Sequence, residues 1–214
     1  MAQNKNIEDK LREGRVYRQM EVRAAEEGED SYIVEGYATT FNQPYELYSE
    51  PGYVFQEQVD SKAFDKTDMA DVIMQYDHQG RVFARKSNRT LQLEVDDHGL
   101  KVRADLSGTE IGRQLYEEIK GGYTTKMSFG FTVDGDTLAK EETDALMTIT
   151  RTITSIKKLY DVSAVSLPAN DTTEIIAARA YGEGVINEVK EEIRLANERS
   201  ARKKSLIDDI MKEV

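Results

Sequence analysis

The stretch that decides the fold is Lys126-Met127-Ser128-Phe129-Gly130-Phe131-Thr132-Val133. Its aromatic and β-branched residues pack well on a pleated surface, so it predicts a β-strand. The turn-like Asp134-Gly135-Asp136 and a polar insertion follow it. Two further runs, residues 146–156 and 159–167, are rich in Thr, Ile, Val and Ser. These runs predict two more strands, and Pro168 ends the last one because proline cannot donate to a sheet ladder.

Two hairpins are predicted nearer the N-terminus. Residues 16–22 and 32–38 are extended runs on either side of the acidic, glycine-bearing segment 26–30. Residues 90–95 and 100–106 alternate apolar and polar side chains, with an Asp-Asp-His-Gly turn between them. Both patterns are typical of antiparallel strand pairs joined by a short connection.

The region between these hairpins holds a histidine at a strand exit. Residues 71–76 form a compact apolar run, which predicts a buried strand, and His78 lies in the loop just beyond it. Residues 42–61 contain two of the three prolines. They predict a long connection with one short extended piece, residues 53–55.

A helix is predicted after the second hairpin. Ser107-Gly108-Thr109-Glu110 matches the capping-box pattern, and apolar residues then recur every four positions up to Gly121-Gly122. No other segment of the central part of the chain has such regular helical spacing.

The C-terminal part of the chain predicts a second helix. From Gly184 onward apolar residues keep helical spacing, with a polar interruption at residues 197–205. This tail either packs on the main domain as an amphipathic helix, or it stays exposed and docks on a partner or is removed by proteolysis. The chain therefore divides into an N-terminal extension, a main domain and a helical tail, which are residues 1–15, 16–180 and 181–214.

Composition excludes several classes of function. The net charge of −11 gives no basic footprint, so nucleic acid is not an expected partner. The apolar runs are too short to cross a membrane, and no signal for export opens the chain. The chain has no cysteine and two histidines, which argues against disulfides, a cysteine nucleophile and a multi-histidine metal site. We therefore expect no metal or cofactor.

A serine, a histidine and an acid are available for a catalytic triad. Ser128 lies in a strand, His78 at a strand exit and Asp161 near the start of a strand. Imidazole is suited to take a proton from a hydroxyl near neutral pH, and a carboxylate behind it fixes its tautomer. Triads are defined by geometry, so spacing alone leaves an ordinary structural role open for each of the three residues.

Four segments together resemble the prohead protease family of tailed bacteriophages. In chain order they are residues 72–78, 97–102, 126–131 and 161–169, and the resemblance covers about residues 16–175. It implies an α+β fold, mainly an antiparallel β-barrel with flanking helices, similar to the herpesvirus assembly protease. It also implies a serine peptidase that trims capsid and scaffold proteins inside the immature head and cuts itself.

Carried onto this chain, the family's histidine corresponds to His78, its nucleophile to Ser128 and its acidic third member to Asp161. Many relatives have glutamate at the position of Asp161, and the herpesvirus enzymes use a second histidine as third member. His98 is the candidate for such a histidine, but its predicted place in a solvated turn argues against that role. The resemblance therefore implies the triad His78, Ser128 and Asp161.

The first functional hypothesis is a serine endopeptidase that cleaves capsid and scaffold precursors, and itself, during prohead maturation. Its partners would be the major capsid protein and scaffold segments, and confinement would favour self-association. It would be made in the host cytoplasm and packaged inside the prohead. One alternative is a non-catalytic assembly or scaffolding factor that binds through its C-terminal helix. Another is a serine hydrolase that acts on small esters.

Overall fold

The computed structural model describes residues 16–25, 31–166 and 173–212 of the chain. These residues form a mixed α+β fold made mostly of strands. The strands are β1 (Val16–Ala24), β2 (Ile33–Thr40), β3 (Tyr45–Glu50), β4 (Tyr53–Val59), β5 (Ile73–Tyr76), β6 (Gln79–Arg85), β7 (Leu91–Val95), β8 (Gly99–Asp105), β9 (Lys126–Glu142) and β10 (Met147–Val165). The helices are α1 (Glu110–Lys120) and α2 (Thr173–Lys212).

The strands form one open sheet in the order β3-β4-β10-β9-β1-β2-β8-β7. β4 and β5 both pair in parallel with β10, along residues 147–153 and 161–164, and β6 pairs with β5. The other pairings are antiparallel. Within the described ranges no pairing joins β3 to β7, so the expected closed barrel is wrong. Helix α2 contacts the β3–β4 end of the sheet instead, which is another way to cover an edge.

The two predicted hairpins are confirmed. β1 pairs with β2 and β7 with β8, both antiparallel. The acidic segment 26–30 lies outside the described residues. The strand predicted at residues 71–76 is also confirmed as β5, which begins two residues later than predicted and is fully buried only at Met74.

β9 and β10 form one long hairpin. This region therefore contains two strands, and the prediction of three is wrong. Asp134-Gly135-Asp136 is not a turn but part of β9, opposite residues 153–155. The hairpin turn comes later, where the N–H of Thr143 donates to the carbonyl of Leu146 at 2.9 Å. Glycine and aspartate favour bulges as well as turns, and the register shifts between residues 153 and 161 accommodate them. Pro168 lies outside the described residues.

The predicted long connection at residues 42–61 is wrong, because this segment contains the hairpin β3–β4, but its predicted extended piece, residues 53–55, is confirmed as the start of β4. Pro44 directly precedes β3 and Pro51 lies in the two-residue turn, so the prolines mark strand ends. Gly52 has φ of 82°, a left-handed conformation that glycine adopts at no steric cost. The aromatic residues of this hairpin give it an apolar face, which packs against α2.

The larger core fills the space between the sheet and α1. Leu115, Tyr116 and Ile119 of the helix are buried against apolar residues from strands on both sides of β9. The helix is N-capped by Thr109, whose hydroxyl accepts the N–H of Gly112 at 3.0 Å. The predicted helix is confirmed, but its cap is Thr109 and not Ser107 of the capping-box pattern.

Helix α2 begins at Thr173, so the predicted boundary at residue 181 falls inside it. Its first half is part of a second core, in which Tyr181, Val185, Ile186 and Val189 pack with Phe55 and Ile149, while Ile193 contacts them from the rim. Beyond Ile193 the described side chains are exposed. One helix therefore packs on the main domain over residues 181–193 and is exposed beyond them, while docking of the exposed part on a partner stays a prediction. No helix in the described residues is long and apolar enough to span a bilayer.

A buried arginine lies under this second core. Arg151 of β10 is 2% exposed and binds Glu57 of β4 at 2.9 Å and Asp136 of β9 at 2.7 Å. Tyr181 of α2 stacks over its guanidinium at 5.2 Å. Burial lowers the pKa of Arg151, but the two carboxylates outweigh that effect and raise it above its usual value. The arginine therefore stays charged and links three strands to the helix.

Candidate active site

His78 lies in the two-residue turn between β5 and β6. Tyr76 and Gln79 are paired across the turn, and Asp77 and His78 have φ of 48° and 58°. Two successive left-handed residues are the signature of a type I′ hairpin turn, and only a few per cent of non-glycine residues adopt that conformation. The predicted exit from a buried strand is therefore confirmed, and the turn fixes the direction in which His78 leaves the sheet.

Asp77 fastens this turn to the end of β10. Its carboxylate accepts the backbone N–H of Ser166 at 2.9 Å and the Ser166 hydroxyl at 2.8 Å. Its own N–H donates to the carbonyl of Ala164 at 2.9 Å. These three hydrogen bonds join the turn of His78 to the strand that carries Asp161.

His78 and Asp161 are in direct contact. The Nδ1 atom of His78 lies 2.5 Å from Oδ1 of Asp161, although the residues are 83 positions apart. The side chain of Asp161 is 1% exposed and that of His78 is 18% exposed. A carboxylate at Nδ1 holds the proton on that nitrogen and leaves Nε2 as the basic atom of a neutral imidazole. This is the tautomer that a general base facing a hydroxyl requires.

Ser163 is a further member of the site that the sequence analysis did not assign. Its hydroxyl donates to Oδ1 of Asp161 at 2.9 Å, and the residue is fully buried. The same carboxylate oxygen therefore contacts Nδ1 of His78 and accepts the hydrogen bond from Ser163. Within the described residues, the other oxygen of Asp161 is buried and accepts no hydrogen bond.

Ser128 lies on the neighbouring strand, directly opposite Ser163 in the β9–β10 register. Directly opposed residues of an antiparallel pair extend their side chains from the same face. Asp161 is two residues from Ser163, so it shares this face as well. The structure therefore places Ser128, Ser163 and Asp161 in one patch, towards which His78 reaches from the adjacent hairpin. Ser128 is 2% exposed.

The other face of β9 and β10 is the main core. Met127, Phe129 and Phe131 alternate with Ser128 and Gly130, and they are fully buried in that core. The Phe129 and Phe131 rings stack with centroids 4.5 Å apart. The Ser-Phe-Gly-Phe segment therefore has two functions: its aromatic residues anchor the strand and its small residues face the polar patch.

A groove of about 520 Å³ lies beside the hairpin tip, between the β5–β6 hairpin and α1. Asp77 and Gln79, the chain neighbours of His78, belong to its lining. Tyr76 lines it from the core side of the sheet, whereas Asp161 lies on the opposite side. The groove and the polar patch therefore lie on opposite sides of the sheet, beside the turn that carries His78. The other lining residues are Arg81, Phe83, Ile111, Gln114, Leu115 and Glu118.

His98 is remote from this patch. It is exposed in the β7–β8 turn, where its ring packs edge-on against Tyr37 with centroids 4.6 Å apart. The carbonyl of His98 accepts the N–H of Phe41, which is bridged to Val59 opposite Ile153 of β10. Ile153 is eight residues from Asp161, roughly 26 Å along the strand, so His98 is not placed beside His78 as a third member.

The described part of the chain contains no group of three or more histidine, aspartate or glutamate residues that could hold a metal ion. The polar patch instead consists of hydroxyls, one imidazole and one carboxylate. This set of groups is suited to proton transfer from a serine and to covalent catalysis.

Comparison with known proteins supports this chemistry at the level of the family. No curated protein and no solved structure matches the chain significantly. Residues 18–186 match the family model described as Caudovirus prohead serine protease. The match covers most of the chain and contains β5, β9 and β10 complete. The chain therefore belongs to the Caudovirus prohead serine protease family.

Proposed function

We propose that the chain is a serine endopeptidase that cleaves capsid and scaffold precursors, and itself, inside the prohead. Ser128 is the nucleophile, His78 the general base and Asp161 the residue that orients His78. The observation that carries the proposal is the 2.5 Å contact between His78 and Asp161, with Ser128 on the neighbouring strand and the same face.

The proposed reaction has two halves. In the first, Oγ of Ser128 attacks the carbonyl carbon of the scissile peptide bond while Nε2 of His78 takes the hydroxyl proton. The proton passes to the leaving amine nitrogen when the C–N bond breaks, and an acyl-enzyme ester remains. In the second half, water attacks the ester, His78 takes a proton from the water, and that proton returns to Ser128 as the new carboxyl group leaves.

Asp161 contributes electrostatic stabilisation in both halves. When His78 accepts a proton it becomes an imidazolium, and the buried carboxylate beside Nδ1 stabilises that charge. Because Asp161 is 1% exposed, water screens this attraction little.

The donors of the oxyanion hole lie elsewhere than in the backbone of Ser128 and Gly130. β9 runs between β1 and β10 over residues 126–131, so backbone groups on both of its edges face a neighbouring strand. N–H groups that are paired in a ladder are not available to a developing oxyanion. We therefore expect the donors to be groups that approach the polar patch from above the sheet.

A polypeptide substrate fits the surroundings of the site. A chain that crosses the turn of His78 would reach both the polar patch and the groove lined by Asp77 and Gln79. The groove combines aromatic and aliphatic walls with glutamine and charged residues, which suits peptide side chains of mixed character. Capsid and scaffold precursors are the polypeptides that the family membership suggests.

The test compares intact masses of three purified chains over time, each with and without the cognate capsid precursor. The chains are the wild type, Ser128→Ala and the control Ser155→Ala, in which an exposed hydrogen bond to Asp134 on the same hairpin is lost. We expect the wild type and the control to cleave the precursor and the Ser128 variant to stay inactive but folded. Equal cleavage by the Ser128 variant would refute the proposed nucleophile.

A second candidate function is an assembly factor that binds through the distal part of α2. The observation that favours it is the exposure of the described side chains beyond Ile193, over roughly 28 Å of helix at 1.5 Å per residue. Truncation after Arg194 tests it, because truncation at residue 184 would also remove the buried Val185, Ile186 and Val189. An assembly factor loses head formation on this truncation and keeps it with Ser128→Ala, whereas a protease shows the reverse.

A further inference from the structure

Ser163 and Asp161 form a hydrogen bond at the centre of the polar patch. The Ser163 hydroxyl donates to Oδ1 of Asp161 at 2.9 Å, and neither residue is more than 1% exposed. Their side chains leave the same face of β10, two residues apart. The contact therefore depends on the regular strand geometry beyond the last register shift, which lies between Leu159 and Asp161.

This hydrogen bond decides which oxygen of the carboxylate faces His78. A carboxylate is symmetrical, so rotation about its last bond exchanges Oδ1 and Oδ2 unless one of them is held. Oδ1 is held by Ser163, while Oδ2 accepts no hydrogen bond from the described residues. Without the hydroxyl, the contact with His78 alone would limit that rotation, and the imidazole would follow the movements of the carboxylate.

The hydroxyl of Ser163 is not placed to act as a second nucleophile. It is directed at Asp161, whose Oδ1 already faces Nδ1 of His78. A nucleophilic hydroxyl must instead give its proton to the basic nitrogen, which is Nε2. Ser128 and Ser163 lie opposite each other in the register, yet their chemistry differs because only Ser163 is bound to the carboxylate.

We propose that Ser163 is a positioning residue that orients Asp161, and through it His78, for proton transfer from Ser128. The inference rests on the proposed endopeptidase activity for its kinetic consequence, but the contact itself can be tested without turnover. Misplacement of a catalytic group by about 1 Å can cost about 100-fold in rate, so a supporting hydrogen bond of this kind affects kcat more than substrate binding.

The kinetic experiment measures kcat and KM of full-length wild type, Ser163→Ala, Ser163→Thr, Ser128→Ala and Ser155→Ala with one peptide from the capsid precursor. For Ser163→Ala we expect kcat to fall about 10- to 100-fold and KM to change less than about twofold. Ser163→Thr retains a hydroxyl and should recover most of the rate. Ser155→Ala removes a serine–carboxylate hydrogen bond on the same hairpin, far from the site, and should match the wild type.

The second measurement is the proton NMR signal of the imidazole N–H that binds Asp161. A short N–H to carboxylate contact gives a resonance far downfield, which can be observed whether or not the chain cleaves any substrate. We expect this signal in the wild type and in Ser155→Ala, and we expect it to broaden or move upfield in Ser163→Ala. Its return in Ser163→Thr would link the signal to the hydroxyl.

Two results would overturn the inference. Wild-type kcat together with an unchanged downfield signal in Ser163→Ala would show that Asp161 is held without the hydroxyl. Complete loss of activity in both Ser163→Ala and Ser163→Thr, with activity retained in Ser128→Ala, would assign the nucleophile to Ser163 instead. If the wild type cleaves nothing, the proposed function fails, and the signal in Ser163→Ala still decides whether the hydroxyl orders the pair.

Discussion

Asp77 and Ser166 lie 89 positions apart, and both oxygens of the Asp77 carboxylate accept hydrogen bonds from Ser166. Ser166 directly follows β10, the strand of Asp161, and Asp77 directly precedes His78. The contact between Asp77 and Ser166 therefore holds His78 and Asp161 next to each other, although it involves neither of these two residues.

Replacing Asp77 by alanine should lower kcat/KM about tenfold, because the turn would lose both hydrogen bonds and alanine disfavours its left-handed conformation. Asp77→Asn should lower kcat/KM less, since asparagine tolerates the left-handed conformation and keeps one acceptor oxygen. Steady-state kinetics of the two variants gives the comparison. Full turnover in Asp77→Ala would show that the turn keeps its shape without Ser166.

Asp161→Asn should keep the fold and lower kcat by the order of 10³- to 10⁴-fold. An amide of the same size can face Nδ1 of His78, but it stabilises no imidazolium and can favour the wrong tautomer. Thermal unfolding reports on the fold and single-turnover kinetics on the chemical step. Activity within tenfold of the wild type would remove Asp161 from the triad.

Arg151→Met should destabilise the protein by about 3–5 kcal/mol, because Glu57 and Asp136 would remain buried without a counter-charge. Arg194→Met is the matched control. Arg194 also lies between two carboxylates, those of Glu191 and Glu198, but its side chain is 55% exposed. Its loss should destabilise the protein far less, because water screens an exposed ion pair.

Urea unfolding of both arginine variants measures the difference. The variants carry the same change of side chain at a buried and at an exposed position, so the gap between them measures chiefly the cost of leaving two carboxylates buried without their counter-charge. Equal losses of unfolding free energy in the two variants would mean that water reaches Arg151, Glu57 and Asp136.

The ion pair of Asp71 with Arg85 should make stability depend on pH in acid. Hydrogen bonds from Arg85, and then from Ser87, lower the pKa of Asp71 from 3.8 to about 2. Because the folded-state pKa lies below the unfolded value, this stabilisation is complete above about pH 4 and is lost as the pH falls through about 2.

The stability of the wild type relative to Asp71→Asn should therefore be constant above about pH 4 and shrink towards zero near pH 2. The measurement is the urea midpoint of both proteins across this range. The pair is half-exposed, so added salt should also narrow the difference. A difference that stays constant down to pH 2 would mean that the carboxylate has an ordinary pKa.

The sequence predicted strands best where one face is buried. The alternation in residues 90–106 and the apolar run before His78 both follow from the two-residue period of a strand. Most of the hairpin β3–β4 escapes prediction because prolines are typical of long loops, whereas these two stand at the ends of strands. Asp134-Gly135-Asp136 indicates a turn from sequence because glycine and aspartate are common in turns and bulges alike.

The site was predictable to the extent that its residues carry a local signal. His78 follows a buried run, and Ser128 alternates with large aromatic residues. Ser163 has no such signal alone, because serine is common in strands. Asp161 lies two positions earlier and was the available clue, and this spacing becomes meaningful once the pairing with β9 is known.

The register shifts of the β9–β10 hairpin also divide it into a part that tolerates changes of chain length and a part that does not. Side chains alternate with a period of two, so one inserted or deleted residue between Asp161 and Ala164 would exchange the polar patch with the core face. The irregular pairing between residues 153 and 161 can absorb one added or lost residue without changing which side chains face the core and which face the polar patch. Natural insertions and deletions in this hairpin should therefore accumulate between residues 131 and 160 and be absent from residues 126–130 and 161–165.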